Sequence, residues 1–167
     1  MKTIQREYKV YKFEELSQEA REKAMQNWNE NEEYEWLSDD MNWKLEELLK
    51  KAKIDGKAKI SYSLGYSQGD GAMFEGEFNW KKYRISISQS GHYYHYNSKD
   101  ITIENEEGEN FSDEVYEKFD ELYVSICKEL EKYGYDVIEQ AESEENLKDM
   151  FDANDYTFLE NGEMFNN

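Results

Sequence analysis

The chain has 167 residues, which fits one domain of the ordinary ~100–200 residues. Its 39 acidic and 20 basic residues give a net charge of −19, which disfavours direct binding to nucleic acid or an anionic membrane surface. An aromatic content of 16% excludes a disordered acidic tail, and no apolar run approaches the ~18 residues of a membrane span.

The N-terminal MKTIQREYKVYKF lacks the apolar stretch of a secretory signal. Cys127 is alone and has no partner for an internal disulfide, so a reducing, cytoplasmic location is expected. Residues 3–13, with Ile4, Tyr8, Val10, Tyr11 and Phe13, read as a strand. Ser17 then caps a helix whose Ala20, Ala24 and Trp28 repeat every four residues, with Glu19 favourably placed in the first turn. A second helix is predicted from Tyr34 or Leu37 to Lys53, with Leu37, Met41, Leu45, Leu48 and Ala52 as its apolar stripe, widened by Trp36 and Trp43. Asp55-Gly56 is predicted to close it.

From residue 58 to 104 the period changes from 3.6 to 2. Ile60, Tyr62, Leu64 and Tyr66 share one face, and Ser61, Ser63, Gly65 and Ser67 the other. Phe74, Phe78 and Trp80 mark a second strand, Tyr83, Ile85 and Ile87 a third, and the segment from Gly91 through Ile101 and Ile103 one strand more or two. Turns at Gly69-Asp70-Gly71 and Lys81-Lys82 make neighbouring strands antiparallel, a meander of about four. Ser112 caps a third helix with Val115, Phe119, Leu122, Tyr123, Ile126, Leu130 and Tyr133 inward, and Gly134 ends or bends it. Ser143 opens a fourth helix with Leu147, Met150 and Phe151 buried. Asn161-Gly162 signals a small C-terminal hairpin over Tyr156–Phe165. The expected fold is α+β: one antiparallel meander against amphipathic helices, a single domain over 1–167.

Charge is unevenly spread along the chain. Residues 1–103 carry 18 acidic and 16 basic residues, net −2, while residues 104–167 carry 21 and 4, net −17. Glu106, Glu107, Glu109, Asp113, Glu114, Glu117, Asp120 and Glu121 form the first dense acidic stretch, with few lysines at i+4 to relieve repulsion. Such a surface is either a solvated helix face or a partner-binding one, presenting carboxylates to a basic groove that ordinarily holds nucleic acid.

Two sheet segments carry further candidates. Gln68, Gly69, Asp70 and Gly71 lack the length and the Lys-Ser/Thr ending of a phosphate loop, and read as a hairpin turn or a ligand-contacting loop. The run Gly91–Tyr96 holds both histidines, His92 and His95, with Tyr94 between them; flat rings with polar tips either pack or bind a ligand. No metal is expected there, since three-apart residues of a strand face opposite ways and no cysteine is near. Arg84 shares a face with Ser86 and Ser88, which is either the solvent side of the sheet or a seat for a small anion. No catalytic set and no cofactor are expected.

Together YKFEELSQEAREKA, SYSLGYSQGDGAMFEGEF, SQSGHYYHY and FDANDYTFLENGEMF resemble a family of small phage-encoded proteins labelled antitoxins of toxin–antitoxin stability systems. The likeness runs over about residues 8–165, with QGDGAMFEG and GHYYH its most specific parts. It implies action in the host cell against a toxic or defensive host protein, and implies no catalytic residues. The leading expectation is a non-enzymatic inhibitor of a nucleic-acid-binding defence enzyme, of CRISPR or restriction type, or of a toxin. The alternatives are a sponge for a nucleotide immune signal and, third, a hydrolase in which Asp70 orients His92 or His95.

Overall fold

The computed structural model describes residues 4, 6–105, 107 and 112–165. The protein is α+β. Its described elements are α1 (Gln18–Asn29), α2 (Leu37–Lys51), β1 (Ile54–Ser63), β2 (Gly71–Trp80), β3 (Tyr83–Gln89), β4 (Lys99–Glu104), α3 (Asp113–Glu142) and α4 (Glu144–Ala153). The strands form one antiparallel sheet in the order β1-β2-β3-β4, the expected meander. Two compact units divide the chain: Glu35–Asp136, and Met1–Tyr34 with Val137–Asn167. The helix α3 runs through the division.

The larger unit is built on period-2 patterning. Phe74, Phe78, Trp80, Ile85, Ile87 and Ile103 are buried on one side of the sheet. Phe119 and Tyr123 of α3 pack there, with ring centroids 5.2 Å from Trp80 and 4.7 Å from Phe74. The Tyr123 hydroxyl donates to the Phe74 carbonyl (3.0 Å) and accepts from the Phe74 N–H (3.3 Å), so a buried polar tip is satisfied by the backbone.

Several local expectations change here. The helix α2 ends in a turn at Lys53, whose φ is +56°, and Asp55-Gly56 lies inside β1 rather than closing the helix. A Cβ on Gly56 would sit 2.3 Å from the Glu77 carbonyl oxygen, so cross-strand approach, not a turn, needs this glycine. Trp43 is exposed and does not widen the α2 stripe. Residues 91–98 form a loop, not a strand, because Ser90 N–H donates to Ser98 O (2.9 Å) and Ser98 N–H to His95 O (2.8 Å). Gly134 does not end α3; it is buried within it, where a Cβ would meet Leu64 Cδ1 at 2.3 Å.

The smaller unit packs α1 and α4 around rings. Phe151 lies 5.2 Å from Phe13, 5.4 Å from Trp28 and 5.1 Å from Phe158. Ser17 and Ser143 cap α1 and α4 as the sequence predicts, accepting from Ala20 N–H and Asn146 N–H. The strand expected over residues 3–13 is absent among its described residues; Tyr11 makes one bridge with Phe158, and Tyr8 and Val10 stay exposed with no sheet face to cover them. The C-terminal hairpin is likewise reduced to one bridge, Phe158 with Met164. Phe158 faces inward from both bridges, and Gly162 (φ +83°) lies so close to α1 that a Cβ would be 2.1 Å from the Ala20 carbonyl oxygen. Packing on α1 decides this segment, not a free two-residue turn.

Candidate functional site

In a meander, the β1–β2 and β3–β4 connections emerge at the same sheet end, and the β2–β3 turn at the other. The QGDG and GHYYH segments are these two connections, so the topology joins motifs about 20 residues apart. The join is tight. Gly69 (φ +94°) lies under the Tyr93 ring, where a Cβ would fall 2.6 Å from Cδ1, and one on Gly71 would fall 2.8 Å from His95 Cδ2. Only glycine meets both demands at position 69.

Asp70 organises the first loop. Its Oδ2 accepts from the N–H groups of Gly65 and Ser67 (both 2.7 Å) and from the Tyr135 hydroxyl of α3 (3.0 Å), while its Oδ1 accepts from Ser63 Oγ (2.8 Å). Desolvation pushes this carboxyl up, but the hydrogen bonds from Ser67, Ser63, Tyr135 and Gly65 outweigh it and hold it below its usual value. Asp70 therefore serves as a clamp. Its described hydrogen bonds include neither His92 nor His95, so the loops meet without forming an Asp–His pair. His95 Nδ1 instead accepts from Asn97 N–H (3.1 Å), with its ring 3.9 Å from that of Tyr96. Gln68, His92 and Tyr94 are exposed.

Sequence reasoning included Tyr93 only as part of the ring-rich run Gly91–Tyr96, and it missed Tyr66 and Tyr135 at this locus. Tyr66 lies in the left-handed region (φ +56°) with its ring 4.6 Å from that of Tyr135. The burial alternation had assigned Tyr66 to a strand face. Tyr135 lies too far along the chain for any local pattern to connect it.

The polar face of the sheet pairs opposite charges. Arg84 stands opposite Glu104 on β4 and Asn79 on β2. Lys59 and Glu75 are 2.8 Å apart, and Ser86 Oγ donates to Glu77 (2.7 Å). Lys81 and Lys82 occupy the β2–β3 turn, with their ammonium groups over the Trp80 and Tyr83 rings. A ten-residue strand separates that turn from the QGDG loop by roughly 30 Å.

The acidic stretch opens α3. Asp113, Glu114, Glu117 and Glu121 are exposed, as is Glu107 just before the helix; Glu106 and Glu109 lie outside the described residues. Glu114 pairs with Lys118 (2.6 Å), and among the described residues no basic group pairs with Asp113, Glu117 or Glu121. Asp120 differs from its neighbours. It binds Lys99 (2.8 Å), whose side chain is only 10% exposed and whose ammonium lies 5.4 Å from the Tyr123 ring centre, so Asp120 neutralises an internal cation.

Two other features bear on chemistry. Burial, above all, pushes the Cys127 thiol up to about 12, which leaves it un-ionised and unreactive at neutral pH. Among the described residues, no three His, Cys, Asp or Glu side chains are grouped to hold a metal ion, and no helix is long and apolar enough to cross a membrane. No family model, curated protein or solved structure matches this chain.

Proposed function

We propose that this chain is a phage-type counter-defence protein that acts by binding, its acidic α3 face occupying the basic nucleic-acid surface of a host defence enzyme or toxin. The observation that carries this reading is the set of exposed carboxylates at Asp113, Glu114, Glu117 and Glu121, of which only Glu114 has a described basic partner. These residues span roughly 12 Å of helix at 1.5 Å per residue, or about one carboxylate per 3–4 Å. A nucleic-acid strand presents one phosphate per about 3.4 Å, so the charge density is comparable. The likeness of QGDGAMFEG and GHYYH to phage-encoded antitoxins supports the same class of partner.

This reading is favoured over a nucleotide sponge by the placement of cations. Of the cations that would hold a phosphate, Lys81 and Lys82 sit at the sheet end opposite the QGDG and GHYYH loops, Arg84 lies next to that turn and stands opposite Glu104, and Lys59 is paired with Glu75. It is favoured over a hydrolase by the engagement of Asp70 in its own loop.

The test is charge reversal that spares Asp120, because a lysine there would face the nearly buried Lys99. The variant Glu117→Lys/Glu121→Lys is expected to associate about tenfold or more slowly with the partner captured from host lysate, with a weaker salt dependence than the parent. Stopped-flow or surface-based kinetics at two ionic strengths gives the answer. An unchanged association rate would sink the acidic-face reading.

A further inference from the structure

We infer that the paired loops at the sheet end form a seat for an arginine-bearing segment of a protein partner, with Tyr66 and Tyr93 supplying the rings on which the guanidinium stacks. The inference rests on the proposed basic partner and adds a second, chemically distinct contact to it.

Tyr66 and Tyr93 are 73% and 61% exposed, and Tyr94 beside them is 42% exposed. A single exposed aromatic is unremarkable, but three on two adjoining loops make a patch. The backbone is built to present them. Tyr66 holds a left-handed φ of +56°, a conformation unfavourable for a bulky residue. Asp70 imposes it by taking the N–H groups on either side, those of Gly65 and Ser67. Tyr135 braces both parts at once, its hydroxyl on Asp70 and its ring against Tyr66. The same φ recurs in the turns at Lys53, Lys81 and Asp155; what is particular to Tyr66 is that these contacts hold it beneath an exposed aromatic side chain. Tyr93 is positioned independently, on the bare face of Gly69.

The chemistry of the occupant follows from the other rings. In this unit Trp80, Tyr83, Tyr96, Tyr123 and Tyr133 each carry a lysine ammonium between 4.4 and 5.7 Å from the ring centre. Among the described residues no such cation lies over Tyr66, Tyr93 or Tyr94, the exposed rings of these two loops. A chain of net charge −19 attracts a cation to them and repels a nucleotide. Of the two cationic side chains, arginine fits better, since its guanidinium is planar, weakly hydrated and stacks on aromatic faces. Exposed Gln68 supplies an acceptor for its N–H groups.

The experiment compares two synthetic peptides of equal length and charge, one of alternating arginine and glycine, one of alternating lysine and glycine, by calorimetric titration. The parent protein is expected to bind the arginine peptide about fivefold more tightly. Tyr66→Asn/Tyr93→Ala, shown folded by its thermal transition, is expected to lose that preference; Tyr93→Ala alone serves if the pair does not fold. Tyr66→Phe/Tyr93→Phe is expected to keep it, because the ring face and not the hydroxyl carries the contact. Glu117→Lys/Glu121→Lys is expected to weaken both peptides alike and leave the preference intact. Equal binding of the two peptides by the parent, a preference surviving removal of both rings, or tighter binding of AMP or a single-stranded oligonucleotide would overturn the seat. Charge reversal without effect on either peptide would overturn the acidic-face reading instead.

Discussion

The two units carry nearly equal charge on different scaffolds. The smaller unit holds 17 acidic and 7 basic residues, net −10, and the larger 22 and 13, net −9. Along the chain the excess is concentrated in the last third, yet in space the acidic C-terminal segment folds with a nearly neutral N-terminal one that supplies lysines and an arginine. Lys12 meets Asp155 (3.1 Å), Arg21 meets Glu144 (2.8 Å), Lys23 meets Glu163 (3.5 Å), and Lys148 meets Glu14 (3.2 Å). In the smaller unit, therefore, four ion pairs join the two ends of the chain. In the larger unit, the carboxylates of α3 at Asp113, Glu117 and Glu121 meet no described basic group. The two units pair a similar share of their described carboxylates with basic groups, so what sets the proposed α3 surface of the larger unit apart is the clustering of exposed carboxylates along the first turns of one helix, not a greater availability of charge.

The strongest way to sharpen the contrast is to unpack the ring cluster of the smaller unit. Phe151→Ala removes a fully buried side chain at the meeting point of Phe13, Trp28 and Phe158 and is expected to cost about 4 kcal/mol. Denaturant titration measures the loss. Amide exchange is expected to accelerate in α1 and α4 while β2 and β3 keep their protection; equal acceleration throughout would erase the distinction between the units.

A smaller effect is expected at the clamp of the larger unit. Asp70→Ala leaves the Gly65 and Ser67 N–H groups and two hydroxyls without their acceptor, a loss of about 2 kcal/mol. The pH dependence carries a sign. The folded pKa of Asp70 is held below its unfolded value, so its contribution is complete above the ordinary carboxylate range, near ~3.9, and disappears as pH falls through the lowered folded value. Melting temperature against pH should be less steep below pH ~4 in Asp70→Ala than in the parent. An identical acid slope in the two proteins would show that the clamp contributes nothing.

The smallest effect is expected where the chain ends are joined by charge. A double-mutant cycle on Arg21→Ala and Glu144→Ala should give a coupling below about 1 kcal/mol that shrinks in 0.5 M salt, as for other partly exposed pairs. A coupling several times larger would make ion pairing, rather than the rings around Phe151, the principal link between the ends of the smaller unit.

Much of the fold was legible because it is written in periodicity. The stripes of α2 and α3, the serine caps of α1 and α4 and the alternation of β2 and β3 are local patterns whose physical cause lies within one or two turns. Two misreadings at the ends of the chain share another cause. Residues 3–13 alternate like a strand but find only one bridge, and Asn161-Gly162 has hairpin chemistry but is held against Ala20 of α1. In both, the deciding neighbour is more than a hundred residues away.

The candidate sites divide in the same way. Acidity of α3, the glycines of QGDG and the rings of GHYYH are composition, and the sequence alone determined them, down to which residues are polar, flexible or flat. Only the tertiary structure decided which of them are available. It turned Asp120 inward onto Lys99, separated Lys81 and Lys82 from the loops by the length of a strand, and placed Tyr135 of α3 where it fixes Asp70 and Tyr66. The physical reason is that a side chain's charge and shape are local properties, whereas its partners are set by long-range packing, and it is the partners that leave a carboxylate or a ring free to bind.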